Sequence, residues 1–298
     1  MKKFLYKLSL FMVALVVIDR LIGLGLENLQ ANAIGGDTNR NNYICNQTTD
    51  KILVFGSSRS IHHYDPRIIE DSLNYTCFNC GNDGNGIILM YGRFKMIKER
   101  YYPKIILYDV TYSFDLEEND NHKYLDWLRP YYNRNGIDSI FWSVDYTEKY
   151  KMQSHLYRYN SKILQLIADN ITPQQNDIKG YRPMIGKMEY TPHINNKISI
   201  KYDSLKIYYL EQLIKECRGK TKLTFFISPQ YGKNDSKEYK PLYDLCKKYN
   251  VPIFNHNNDK NFISNKNLFY DTVHLNEKGA TLYTKTIISE IKKLNLRE

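Results

Sequence analysis

Short apolar runs alternate with stretches of helical period over most of the chain beyond residue 50. The runs fall at 52–55, 75–80, 105–110, 223–227 and 251–254. Four of these five are continuous apolar or aromatic stretches, the mark of strands buried on both faces of a parallel sheet. Helical patterns follow them at 66–73, 87–101, 204–217, 237–249 and 277–294. In the second, Ile87, Tyr91, Phe94, Ile97 and Tyr101 recur at three- and four-residue spacing, so one side of that helix packs on the sheet. The order βαβαβ followed by βαβα predicts an α/β fold, a three-layer doubly wound, flavodoxin-like parallel sheet.

More than a hundred residues, roughly 111–222, separate the third run from the fourth, far beyond a usual α/β connection. The spacing predicts a helical insertion at about 115–200. It holds aromatic helical pieces at 124–132 and 154–169 and a punctuated stretch, KGYRPMIGK, at 179–187. Open α/β sheets bind ligands outside the C-terminal ends of their strands, so the insertion reads as a lid over that edge. Trp127, Tyr131 and Tyr157 are its candidates for stacking on substrate, and packing within the insertion accounts for the same residues.

The N-terminus has a different pattern. Lys2, Lys3 and Lys7 precede and enter an apolar run at 8–18, Asp19 and Arg20 interrupt it, and LIGLGL resumes. Basic residues followed by an apolar stretch form an export signal. Counted from Phe4 to Leu26, the segment reaches the roughly 20 residues a span requires, and the lysines favour the cytoplasmic side. This predicts an uncleaved signal anchor at 1–30, a polar linker at 31–50 and a domain at 51–298, held at the cell membrane on its periplasmic or extracellular face. A signal peptide cleaved at Ala31-Asn32-Ala33 and a buried amphipathic helix are the two other readings.

Composition narrows the function classes. The chain of 298 residues carries 42 Lys and Arg against 32 Asp and Glu, a net charge of +10, but the basic residues are scattered among acidic ones. No nucleic-acid footprint follows; attraction to anionic lipid or acidic glycan does. The 27 tyrosines fit a glycan-stacking surface or a biased genome. Five cysteines are an odd number, and Cys77 and Cys80 form a lone CxxC that reads as structural. His62 and His63 have no third ligand at suitable spacing, so neither metal nor cofactor is predicted. The pattern carries no signal for oligomeric state.

Two segments carry candidate chemistry. Gly56-Ser57-Ser58-Arg59 ends the first run, where a small-residue turn can hold a hydroxyl in a cleft beside backbone N–H groups. A Walker-type phosphate loop is ruled out because its G-x-x-x-x-G-K-[ST] pattern is absent. Near the other end stands Asp271-Thr272-Val273-His274-Leu275-Asn276, followed by Glu277-Lys278-Gly279 and a long helix. An Asp and a His three residues apart on a loop can meet, the carboxylate fixing the imidazole's tautomer.

Together, in this order and on this strand pattern, the segments resemble the SGNH/GDSL hydrolase superfamily, whose first block reads G-D-S and whose last reads D-x-x-H. The resemblance covers about residues 50–115 and 222–298. Gly56-Ser57-Ser58 matches the first block with Ser in place of Asp, making Ser58 the nucleophile. Asp271 and His274 match the last, making His274 the base and Asp271 its orienter. The second block resembles 79–84, with Gly84 as oxyanion donor, Gly81 as the alternate, and the Ser58 N–H beside it. The third block departs from the family: 109–113 reads Asp-Val-Thr-Tyr-Ser, so the oxyanion donor that the family's asparagine supplies is either missing or replaced by a hydroxyl of Thr111, Tyr112 or Ser113. Arg59 is a candidate for an anionic substrate group or for a buried ion pair. What the resemblance implies is an esterase or O-acyltransferase acting on a cell-envelope polysaccharide or other acyl ester. The altered third block leaves open a noncatalytic envelope glycan-binding or assembly protein.

Overall fold

In the computed structural model, residues 1–172, 174, 177–189, 200–232 and 236–294 are described. The chain divides into two compact units, one made of Met1–Gln47 and Leu125–Gln175, the other of Thr48–Tyr124 and Asn176–Glu298. Residues 190–199 of the expected insertion lie outside the described residues.

The second unit is mixed α/β. Strands β1 (Ile52–Gly56), β2 (Cys77–Asn79), β3 (Ile105–Asp109), β4 (Lys222–Ile227) and β5 (Ile253–Asn255) form one sheet in the order β2-β1-β3-β4-β5. Every neighbouring pair is parallel. The two strands buried at every position, β1 and β3, lie next to each other, in register from Ile52 opposite Ile105 to Gly56 opposite Asp109. Side-chain alternation puts Ile52, Val54, Ile105, Leu107 and Phe226 on one face. There they pack with Ile69 and Leu73 of helix Pro66–Leu73 and with Tyr283, Ile287 and Ile291 of helix Glu277–Lys293. Leu53, Phe55, Ile106, Tyr108 and Phe225, on the other face, are equally buried. Each such side chain withdrawn from water contributes about 1.5–3 kcal/mol, which explains why runs without a polar face become these strands.

Local signals set the helix ends. Asp65 accepts the Arg67 N–H at 2.9 Å ahead of Pro66, and Asn74 closes that helix in the left-handed region. Asp203 caps helix Ser204–Cys217 through the N–H groups of Leu205 and Lys206. The 87–101 pattern forms a helix at Ile87–Lys98, and 237–249 splits into a 3-10 turn at Lys237–Tyr239 followed by helix Lys240–Tyr249, where Pro241 enters the first turn.

The KGYRPMIGK stretch belongs to this α/β unit and is stitched to it by its backbone. Lys179 O accepts Asn79 N–H at 2.9 Å and Arg182 N–H donates to Ile61 O at 3.0 Å, and just past its end Met188 N–H donates to Phe269 O at 2.8 Å. The stretch read as one insertion is therefore divided between the two units.

The first unit is helical. Its N-terminal helix, Lys2–Ala31, is long and apolar enough to cross a membrane by length and composition. The segment expected to be a linker is instead folded: Gly36–Asn42 is a helix and Tyr43–Gln47 a single π-turn. Its polarity misled because the polar groups are paired inside the unit. Asn42 Oδ1 accepts Gln30 Nε2 at 3.0 Å and the Tyr131 hydroxyl at 2.6 Å, and Thr38 N–H donates to Asp169 at 2.9 Å. The aromatic pieces expected at 124–132 and 154–169 are 3-10 turns at His122–Tyr124 and Arg129–Tyr131 and helices at His155–Tyr159 and Ile163–Ile171.

Candidate active site

Strand β1 ends at Gly56 with φ +135°, where an added Cβ would lie 2.4 Å from the Asp109 carbonyl of β3, so only glycine fits. Ser57 is extended and its hydroxyl meets that of Thr111 at 2.7 Å. Ser58 then opens the helix Ser58–His63, half-buried, with its N–H unpartnered among the described residues.

His274 comes from the loop before the last helix. Asp271 Oδ1 accepts the N–H groups of Val273 and His274 at 2.7 and 2.8 Å, a local turn that brings the ring of His274 back over the carboxylate. His274 Nδ1 lies 2.9 Å from Asp271 Oδ2, and its Nε2 lies 2.8 Å from Ser58 Oγ. Burial pushes the Asp271 carboxyl up, but the hydrogen bonds from His274 and the backbone outweigh it and hold the group down at about 2. An ionised carboxylate only accepts, so the neutral ring carries its proton on Nδ1 and Nε2 is free to accept from the Ser58 hydroxyl. The side chains of His274 and Asp271 are 18% and 33% exposed, open enough for a ligand to reach.

His62 and His63, read from the sequence only as lacking a third metal ligand, stand beside this line. His63 is wholly buried; its Nε2 accepts the Leu275 N–H at 2.9 Å and its Nδ1 meets Ser228 Oγ at 3.1 Å. Burial lowers its pKa well below the usual value, with His274, Arg59 and His62 adding to the effect. His62, one helical turn after Ser58, stacks edge-on to His274 with ring centroids 5.5 Å apart. Its Nδ1 lies 2.6 Å from Arg182 O and its Nε2 lies 3.1 Å from Asp83 Oδ1. Adjacent letters at the end of a short helix carried no signal for these two roles.

The expected oxyanion donors divide. The Gly84 N–H has no partner among the described residues and stands on an exposed turn with φ +66°. The Gly81 N–H donates to Asn79 Oδ1 at 3.0 Å and is therefore occupied. Thr111 Oγ1 is shared between Ser57 and Arg59 Nε, and the buried Tyr112 hydroxyl bridges the backbone N–H and O of Lys201. Ser113 is exposed, and its carbonyl accepts from Asn119. Asn82 was overlooked. Its N–H donates to Gly56 O at 3.1 Å, buried Arg93 fixes its Oδ1 at 2.9 Å, and its amide nitrogen keeps one long contact, 3.4 Å to Asp83 O.

Of the two readings for Arg59, the geometry gives the ion pair. Arg59 is 1% exposed, 3.4 Å from Asp109, and donates to Thr111 and to the carbonyls of Val110 and Ser228. The aromatic candidates sit in the helical unit. Buried Tyr131 bonds Asn42, the Tyr157 hydroxyl bonds Glu148 at 2.7 Å beside Arg129, and the Trp127 ring lies 3.7 Å from Lys162 Nζ. All five cysteines are buried, and none is in a disulfide among the described residues. Neither a scan against family models nor a comparison with curated proteins gives a match.

Proposed function

We propose that this chain is a membrane-anchored serine esterase or O-acyltransferase of the SGNH/GDSL type, acting on acyl esters of cell-envelope glycans. The observation that carries the reading is the single hydrogen-bonded line from Asp271 through His274 to Ser58. In the reaction, Ser58 Oγ loses its proton to His274 Nε2 and bonds to the ester carbonyl carbon. The imidazolium, held by Asp271, returns the proton to the departing alkoxide, leaving an acyl-enzyme. Water or a sugar hydroxyl then repeats the sequence in reverse. The strand order supports the placement. Order 2-1-3-4-5 is the doubly wound, flavodoxin-like one, whose ligands bind beyond the strand ends where β1 and β3 diverge, and Ser58 follows β1.

The N–H groups of Ser58 and Gly84 and the Asn82 amide are the donors proposed for the oxyanion. The lysines before the apolar run put the rest of the chain outside the cytoplasm, in reach of envelope glycans. A second reading, a noncatalytic glycan-binding or assembly protein, is favoured by one feature: Gly81, Thr111 and Tyr112 are engaged elsewhere. Treating the detergent-solubilised chain with a fluorophosphonate probe separates the two. Labelling of the wild type that Ser58→Ala abolishes is expected; a folded wild type that takes no label would overturn the nucleophile and leave the second reading.

A further inference from the structure

The N-terminal helix changes character at Asp19. Up to Ile18 its apolar side chains are exposed, Phe4, Phe11 and Val16 among them. From Asp19 on one side of it is built into the helical unit, at Gly23, Leu26 and Gln30, while Leu21, Ile22 and Leu24 stay exposed. The Asp19 carboxylate accepts the Ser154 hydroxyl at 2.6 Å and the N–H groups of His155 and Leu156 at 2.9 and 3.0 Å, capping helix His155–Tyr159. Gly23 lies against His155 so closely that a Cβ would come within 2.3 Å of the ring. Leu26 packs with Tyr159, Leu166 and Ile163, and Asn170 donates to Leu29 O at 3.1 Å. The second half of the helix is thus packed into the helical unit.

Helix Ile163–Ile171 packs on this part of the anchor by one side only. Leu166 and Asp169 are buried, whereas Leu164, Ile167 and Ile171 are 83%, 40% and 72% exposed. Their three- and four-residue spacing makes them one stripe. A hydrocarbon core of about 30 Å takes up roughly 20 residues of helix, so a span entered at Phe4 leaves the core near Gly23. Leu26 and Leu29, which hold helix Ile163–Ile171, come just beyond that level, in the headgroup region where amphipathic helices bury an apolar face.

We infer that helix Ile163–Ile171 is an interfacial helix, with Leu164, Ile167 and Ile171 inserted among the lipids around the point where the anchor emerges. The inference rests on the anchor reading of the N-terminal helix, and its occupant is the bilayer itself, because the stripe is held on an anchor whose own apolar side chains stay exposed as far as Leu24, just before Leu26. It gives the helical unit a fixed seat on the membrane in place of a swinging tether.

The test places a polarity-sensitive fluorophore on Leu164→Cys or Val13→Cys in the full chain, reconstituted in phosphatidylcholine–phosphatidylglycerol vesicles; the native cysteines are buried. Quenching by nitroxide-labelled lipid and by aqueous iodide is compared. The Leu164 probe is expected to lose most of its emission to a shallow lipid nitroxide and little to iodide. Quenching by iodide alone puts the stripe in water, and shielding from both quenchers puts it under protein; either overturns the interfacial helix. A Val13 probe that lipid nitroxide does not reach overturns the anchor and this inference with it, whereas a quenched Val13 beside an unquenched Leu164 overturns only the latter.

Discussion

The N–H of Leu275 donates to Nε2 of His63 at 2.9 Å, and that bond ties the helix opened by Ser58 to the loop that presents His274. Two segments more than two hundred residues apart are registered through one imidazole, which must stay neutral on Nε2 to accept.

The first prediction concerns this ring. Burial holds His63 neutral, its pKa far below the usual 6.5. The unfolded chain takes up this proton near 6.5 and the folded chain does not, so the ring's contribution to stability is complete above that pH and declines below it. The slope is at most about 1.4 kcal/mol per pH unit for one proton. The stability advantage of wild type over His63→Gln, measured by urea unfolding, is therefore expected to shrink steadily as the pH is lowered below 6.5. A constant difference would mean that His63 does not titrate between the two states.

The second concerns Asp271, whose carboxyl lies at about 2 against an ordinary 3.8. Its stabilising charge is complete above the ordinary value and lost only as the pH falls through about 2. A loss of activity on the acid side near pH 5 is then not the titration of this carboxyl. Asp271→Asn removes the acceptor that fixes the proton on Nδ1 and is expected to lower kcat by about 10⁴, the order known for the same change in the Ser-His-Asp template. A fall of less than tenfold would show the pair to be structural.

The third addresses Asn82, the amide proposed as an oxyanion donor. Asn82→Ala removes an amide whose nitrogen makes only one long contact and whose Oδ1 accepts from buried Arg93, so some stability is lost, while kcat on a small ester, measured on the folded fraction, falls by roughly 10²–10³, as for other oxyanion donors. An unchanged kcat would remove Asn82 from the reaction.

Legibility followed the physics of each part. The central strands β1, β3 and β4 could be read because strands buried on both faces have no polar face to confuse the pattern, and helices 66–73 and 204–217 because Asp65 and Asp203 announce their starts. The pairing of Asp271 with His274 could be read because it is local. The 36–47 segment was misread because Asn41 and Asn42 look like linker residues; only partners far along the chain, Trp127, Gln30 and Tyr131, make them core. Asn82 and His63 escaped for the same reason, since their roles depend on Arg93, Gly56 and Leu275.

The last prediction is for the aromatic side chains once assigned to substrate. Trp127 is half-buried, its carbonyl accepts Asn41 Nδ2 at 3.0 Å, and its face lies under the Lys162 ammonium, whose pKa burial lowers. A cation so placed on an indole is worth about 0.5–2 kcal/mol, and the ring's packing adds to that. Trp127→Ala should therefore lower the melting temperature of the chain. Its rates on a polymeric glycan ester and on a small aryl acetate should fall in the same proportion, because a packing residue affects the folded fraction and not the choice of substrate. A loss confined to the polymer, with the melting temperature unchanged, would return Trp127 to the sugar-stacking role and make its contact with Lys162 incidental.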